Sequence, residues 1–299
     1  YLQGQYKHRD WTFMAGLRAE QTFVSTTVQD TEETNNQQYL NFFPSSRIQY
    51  KVNEERSFNL SYSRRIDRPS AWRLNPFPDL SDSSSIFIGN PNIQPEYINA
   101  LEFTFADKWE GIDIYATAFY RHREGVIDYL TVIRDGLPYI RPQNLASGQT
   151  YGLEGTFTTR PLDFWRVNLN AATYRSTISG RIGNYEGVEN SGESISNETL
   201  TYRAKLNTSF RLPLDVRLQL TANFDGPEAE ARETEKAVYY FNAGVQKELF
   251  DGDGSLGFNI RDVLDTRRYR EVGDNANFYE ERTRERLAQL FTVSFSYKL

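Results

Sequence analysis

Apolar and polar residues alternate along most of this chain, in short runs separated by turn residues. The clearest run is the last, Phe291-Thr292-Val293-Ser294-Phe295-Ser296-Tyr297-Lys298-Leu299. A period of two predicts a strand with one apolar face. From Trp11 the same beat runs through Phe13, Ala15, Leu17 and Ala19, with Thr12, Arg18 and Glu20 between them. Hairpins follow: Leu101, Phe103 and Phe105 turn at 107–111 into Ile112, Ile114, Ala116 and Ala118, and Leu206, Thr208 and Phe210 turn at 212–215 into Val216, Leu218 and Leu220. Opposite these apolar positions stand Arg203, Lys205, Arg217 and Gln219, so the second face is polar and charged.

The spacing of the connections narrows the fold. Short turns are predicted near 7–10, 53–56, 107–111, 160–163, 212–215 and 250–254, and longer polar stretches near 25–38, 64–95, 133–148, 179–198, 225–236 and 264–281. Short turns on one side and long loops on the other is the asymmetry of bacterial outer-membrane barrels, periplasmic and extracellular respectively. Trp11, Trp109 and Trp165 each fall at a short turn, where an interfacial aromatic belt sits. The pattern therefore predicts an all-β, antiparallel, up-and-down transmembrane β-barrel wall of about thirteen strands. Asp262 breaks the rule, falling on the apolar parity of Leu256, Phe258 and Ile260; either the strand ends there or a bulge resets its register.

Composition agrees once strands rather than helices cross the membrane. Mean hydropathy is -0.65 and net charge -6, and no stretch approaches the roughly 20 apolar residues of a spanning helix. A barrel needs only about ten residues per strand, half of them polar. Nineteen Tyr, 20 Phe and 4 Trp suit aromatic girdles. Cysteine is absent, which removes disulfides and thiolate sites. The acidic balance, 40 Asp and Glu against 34 Lys and Arg, argues against a nucleic-acid partner. No export signal is visible at Tyr1-Leu2-Gln3-Gly4-Gln5-Tyr6. Together with an odd strand count, this makes residues 1–299 the expected C-terminal part of a longer barrel protein.

Several motifs give the chain a family look. Arg64-Arg65-Ile66-Asp67-Arg68-Pro69-Ser70, then Leu74-Asn75-Pro76-Phe77, then Gly89-Asn90-Pro91-Asn92-Ile93-Gln94-Pro95-Glu96 leading into a strand, resemble the barrel of TonB-dependent receptors of the Bacteroidetes-type outer membrane protein beta-barrel family. Tyr151-Gly152-Leu153-Glu154, Gly252-Asp253-Gly254-Ser255-Leu256 and Arg261-Asp262-Val263-Leu264-Asp265 add to it. The resemblance implies about thirteen C-terminal strands of a roughly 22-stranded barrel, energised uptake of a nutrient ligand across the outer membrane, and a plug, N-terminal to the barrel, that contacts the TonB complex. It also implies that the aromatic beat Phe291, Val293, Phe295, Tyr297 and Leu299 is the signal read by the barrel-assembly machinery. A terminal Leu departs from the aromatic more usual at that place.

Chemistry is sparse. His8 and His122 are the only histidines, and there is neither a nucleophile elbow nor a zinc-binding helix motif, so no enzyme, metal site or cofactor is expected. Asp251-Gly252-Asp253-Gly254 reads as a tight turn, and Glu228, Glu230, Glu233 and Glu235 with Arg232 and Lys236 read as a solvated loop. The candidate ligand-binding segment is the long loop from Arg64 to Pro95, with Arg68, Trp72, Arg73 and Phe77 as its exposed recognition residues on a proline-stiffened backbone. The competing role for those residues is folding the loop over the rim. Two other functions stay open: a passive porin or structural barrel, distinguished by the absence of a plug, and a soluble β-sandwich module, distinguished by a second packed sheet.

Overall fold

The structure is a computed structural model that describes residues 1–27, 34–81, 84–134, 136–181, 194–229, 233–274, 279–285 and 289–298. A meander opens the chain: β1 (Leu2–His8), β2 (Trp11–Thr27), β3 (Thr34–Lys51) and β4 (Arg56–Asp67). The long connection carries one helical turn, α1 (Ala71–Leu74), and two short strands, β5 (Pro78–Asp79) and β6 (Ile86–Ile88). The wall resumes with β7 (Glu96–Trp109), β8 (Ile112–Arg134), β9 (Leu137–Leu162), β10 (Trp165–Arg181), β11 (Ser194–Leu212) and β12 (Val216–Asp225). Two further short strands, β13 (Glu228–Ala229) and β14 (Glu233–Glu235), precede β15 (Val238–Leu249), and β16 (Gly254–Arg261), β17 (Arg268–Asp274), β18 (Tyr279–Glu285) and β19 (Leu290–Tyr297) complete the order.

Among the described residues thirteen strands form an antiparallel path in the order β1-β2-β3-β4-β7-β8-β9-β10-β11-β12-β15-β16-β19, the number expected from the alternation, and β5 and β6 join the same sheet off that path. β1 and β19 do not pair with one another, so the wall is open. Among the described residues no helix is long and apolar enough to cross a membrane.

Register fixes which side chains share a face. Cα partners across the wall form an apolar row, Phe13, Ile48, Leu60, Phe103, Ala118 and Leu153, and a second row runs Leu218, Val245, Phe258 and Val293. Leu220 is 39% and Phe295 62% exposed, as a lipid-facing surface requires and a sandwich core forbids. The alternate parity is polar and hydrogen-bonded: Lys205 stands opposite Asn170 and Asn223, Asn168 donates to Thr158 Oγ1 at 2.8 Å, and Thr156 Oγ1 donates to Asn170 at 2.9 Å. Arg203, Lys205, Arg217 and Gln219 all lie on this inner parity.

Asp262 is resolved by the strand ending at Arg261. Its backbone turns to φ 52°, the residue is 1% exposed, and its carboxylate accepts from the backbone N–H groups of Thr266 and Arg267, each at 3.0 Å. The polar parity violation is a turn cap rather than a lipid-facing charge.

The six short turns fall where expected, but the long polar stretches differ. The 133–148 stretch is the upper half of a continuous hairpin, with β8 and β9 spanning 23 and 26 residues. About ten suffice for the bilayer, so the rest projects beyond it. In water a ladder continues whatever its side chains, and polar positions there carry no alternation to betray the strand. The 225–236 and 264–281 stretches likewise contain β13, β14, β17 and β18, which form a separate four-stranded sheet. Glu230 and Arg232 lie outside the described residues.

Candidate functional site

The loop after β4 folds onto the inner face of the wall. Arg68 reaches back across β3 to Glu20 on β2 at 2.6 Å and to Thr22 Oγ1 at 3.2 Å, both on the inward parity of that strand. The Ser70 carbonyl accepts from the Arg73 and Leu74 N–H groups at the start of α1, and Leu74 at its end is buried with Ile93 and Ile127, Val24 packing against them. Trp72 stacks on Phe87 with ring centroids 3.7 Å apart and 9° between planes. Arg73 Nε donates to the Tyr129 hydroxyl at 2.9 Å, its guanidinium 5.5 Å from that ring's centroid. β6 pairs parallel with β9 through Ile86↔Tyr139 and Phe87↔Ile140, adding the loop to the projecting hairpin.

The Gly-Asn-Pro-x-Ile-x-Pro-Glu motif makes this docking possible. A Cβ on Gly89 would lie 2.3 Å from the Asn75 carbonyl oxygen and 2.7 Å from that of Arg73, so the two limbs of the loop approach only because residue 89 has no side chain. Asn90 is buried: its N–H donates to the Arg73 carbonyl at 2.7 Å and its side-chain amide to the Pro142 carbonyl at 3.2 Å. Gln37, on β3, donates to the carbonyl of Pro91 at 2.6 Å. Asn144 accepts from the Gln94 N–H at 2.7 Å and donates to the carbonyls of Gln94 and Gly125. Glu96, 3% exposed, accepts from Arg123 at 2.6 Å and from the Ile127 N–H at 2.7 Å. The buried side chains of Asn90 and Glu96 are thereby matched.

Of the four recognition residues expected from sequence, Trp72 and Phe77 present ring area to solvent, 52% and 44% exposed. Arg68 and Arg73 have partners within the chain, so their charges take part in the loop's own fold. Trp72 and Arg73 converge on Phe87 and Tyr129; Arg68 stands apart, bonded to Glu20 of β2. Sequence reading held Asn90 and Glu96 only as members of the motif and missed Arg123 and Asn144, which lie far from it in sequence. Among the described residues no group of His, Asp and Glu is arranged to hold a metal ion.

A second assembly also turns inward. Glu228 of β13 pairs with Arg203 and meets the Tyr174 hydroxyl at 3.4 Å, and Thr201 donates to the Pro227 carbonyl; Arg203, Tyr174 and Thr201 are all of inner parity. Behind it β17 and β18 are joined by exposed pairs, Arg268–Glu285 at 3.0 Å, Arg270–Glu281 at 3.2 Å and Arg284–Glu271 at 2.8 Å. Glu228, Glu235 and Glu271 are successive Cα partners. Burial, and then the charges of Glu228 and Glu271, push the Glu235 carboxyl above its ordinary value.

On the last strand Phe291, Val293 and Phe295 stand on the outer parity opposite Ile260, Phe258 and Leu256, and Tyr297 meets Phe250 edge to face. Leu299 lies outside the described residues.

A thirteen-stranded antiparallel wall, apolar outside and hydrogen-bonded inside, with aromatic residues at its short turns and loops folded inward at the other end, is the wall of an outer-membrane barrel. The chain belongs to the outer membrane protein beta-barrel family, whose model matches residues 1–297. Its fold is similar to that of a copper transporter and several siderophore receptors of known structure. The copper transporter OprC superposes with a TM-score of 0.70 at 10% identity, over 99% of this chain and 48% of that one. The siderophore receptor PiuA from Acinetobacter baumannii gives 0.66 at 14%, over 97% and 41%, and the siderophore receptor PirA from Pseudomonas aeruginosa 0.60 at 13%, over 96% and 47%. The chain thus spans less than half the length of each of these structures. No curated protein matches it in sequence.

Proposed function

We propose that residues 1–299 are the C-terminal part of the barrel of an outer-membrane receptor that takes up a nutrient ligand with energy from TonB. The observation that supports the reading is the inward docking of both loop assemblies, the first of which leaves Trp72 and Phe77 exposed. A membrane barrel leaves no strand edge unpaired in hydrocarbon, where each unsatisfied backbone group costs several kcal/mol. Further strands, to roughly 22 in all, would close the wall, and a plug would fill the lumen and reach TonB. The exposed beat Phe291, Val293, Phe295 would present the closing strand to the barrel-assembly machinery.

Ligand is met first by the Arg64 to Pro95 loop in this reading, with Trp72 and Phe77 offering ring faces and Arg68 and Arg73 holding them in place. The test is growth on ferric siderophores and on limiting copper, the cargo classes named for the similar structures, using the full-length gene, the same gene with residues 70–89 deleted, and a strain lacking TonB. Uptake is expected to fail in both altered cases. Survival without TonB removes the energised reading, and survival without the loop removes the loop assignment.

A further inference from the structure

A Pro-Leu-Asp triplet set between two arginines occurs at two successive periplasmic turns. Arg160-Pro161-Leu162-Asp163-Phe164-Trp165-Arg166 joins β9 to β10, and Arg211-Leu212-Pro213-Leu214-Asp215-Val216-Arg217 joins β11 to β12. Each places one arginine just before the turn and another six residues later, just after it. The two turns are neighbours and are tied together by the Arg211 N–H donating to the Phe164 carbonyl at 2.7 Å.

Register brings the arginines to one patch of the inner wall. Arg211 stands directly opposite Arg217, and Arg166 stands opposite Ser209, which in turn faces Gln219. With Arg160 they line a single cavity of about 400 Å³, whose remaining polar groups include the amides of Asn168, Asn207 and Gln219. Like charges directly opposite one another across a ladder destabilise it. Acidic compensation is partial: Asp163 lines the cavity and Glu248 lies 3.6 Å from Arg217, two carboxylates against four guanidiniums. Arg160, Arg166 and Arg211 form no ion pair among the described residues. The cavity higher on the same wall is different, with Arg203 and Lys205 matched by Glu154 and Asp225.

Guanidinium forks fit planar or tetrahedral oxyanions bidentately, and a cleft lined by one sign of charge concentrates the opposite sign. We propose that the four turn arginines form an anion site at the periplasmic end of the lumen, taking the carboxylate or phosphate group of a soluble solute. Phosphate could also come from a lipid headgroup, but Arg166, Arg211 and Arg217 sit on the inward parity, away from lipid. The site would serve an energised receptor or a passive pore alike, so it stands or falls separately from TonB dependence.

The test is calorimetric titration of the full-length protein, in a phosphate-free zwitterionic detergent, with inorganic pyrophosphate and with citrate. Saturable binding is expected that weakens at least tenfold in Arg166→Gln/Arg217→Gln, weakens less in Arg211→Lys, weakens with salt, and is unchanged in Lys205→Gln. Heat-modifiable migration on gels verifies that each variant is a folded barrel; if the double variant fails it, Arg166→Gln alone must still bind severalfold more weakly than wild type. Absence of binding by the wild type, equal binding by the folded arginine variants, or equal loss in Lys205→Gln overturns the site. So does a response confined to vesicles of phosphatidylglycerol, which would assign the arginines to headgroups.

Discussion

Between β4 and β7 the chain docks on the inner wall through buried amides, a nearly inaccessible carboxylate and the apolar cluster of Leu74, Ile93 and Ile127. The sheet of β13, β14, β17 and β18 is held instead by cross-strand ion pairs whose side chains remain in contact with water. The two assemblies cover the same end of the same wall. A buried polar group without its partner costs its full desolvation, whereas an exposed ion pair contributes only about 0–1 kcal/mol and is screened by salt. The first assembly is therefore built to keep one position, and the second to be displaced at little cost. A mouth needs both properties if solute is to be recognised on one side and admitted on the other.

Between the two assemblies, the larger effect should come from breaking the first at Glu96. Glu96→Ala leaves the half-exposed Arg123 and the buried Ile127 N–H without their acceptor, and an unsatisfied buried donor costs about 1–3 kcal/mol. Amide exchange over residues 86–96 and 126–130 should rise together, while exchange in β17 and β18 stays unchanged. Coupled loosening of both assemblies would show that they form one unit and dissolve the comparison.

The spanning wall sets the scale for both. Arginine at Leu220, on the outer row, should destabilise by about 2–4 kcal/mol if that residue lies near the bilayer midplane, while arginine at Gln219 on the inner row should cost far less. Urea unfolding in lipid vesicles reads both. Equal penalties would mean that the parity assigned to the wall is wrong.

Legibility followed the same division. The wall was readable because lipid demands an apolar residue at every second place, so Leu218, Leu220, Phe258 and Val293 announce their face without any knowledge of neighbours. The clamp was half readable. Its motif stands out in sequence, but the reason for Gly89 is the approach of Asn75 and Arg73, and the partners of Glu96 come from β8. The charged sheet was not readable. Glu228, Glu235, Arg268 and Glu285 belong to short charged runs with no sustained apolar beat, and only pairing between distant loops makes strands of them. The arginine repeat at the two turns was visible all along; what sequence could not supply was that both turns deliver their arginines to one cavity.

Salt separates the assemblies more gently. Each exposed arginine pair of β17 and β18 contributes at most about 1 kcal/mol, and at 1 M salt the screening length falls to about 3 Å. Raising salt from 0.1 to 1 M should speed exchange in 268–285 severalfold and leave the clamp around Asn90 and Glu96 as it was. Arg284→Gln, which removes the 2.8 Å pair with Glu271, should reproduce part of the salt effect at low salt. If high salt instead loosens the clamp first, buried matching does not hold it.

The smallest effect lies at Glu235, where the second assembly carries its own opposition. Three carboxylates, Glu228, Glu235 and Glu271, follow one another across the ladder, and burial with that repulsion raises the Glu235 carboxyl against the opposing pull of Arg203. A raised carboxyl binds its proton more tightly in the folded sheet than in the open one. Its contribution to stability is fully present below the ordinary value of 4.5 and is lost as pH rises through the raised value. At pH 7 the charged form therefore works against docking, and Glu235→Gln, which keeps the neutral shape, should slow exchange in β14 and β17 by about 0.5 kcal/mol or less. The gain should shrink as wild type and variant are compared at pH 4.5, where the wild-type carboxyl holds its own proton. Faster exchange in the variant at pH 7 would mean that the Glu235 charge secures the sheet, through Arg203, and that the second assembly is latched more firmly than its exposed pairs imply.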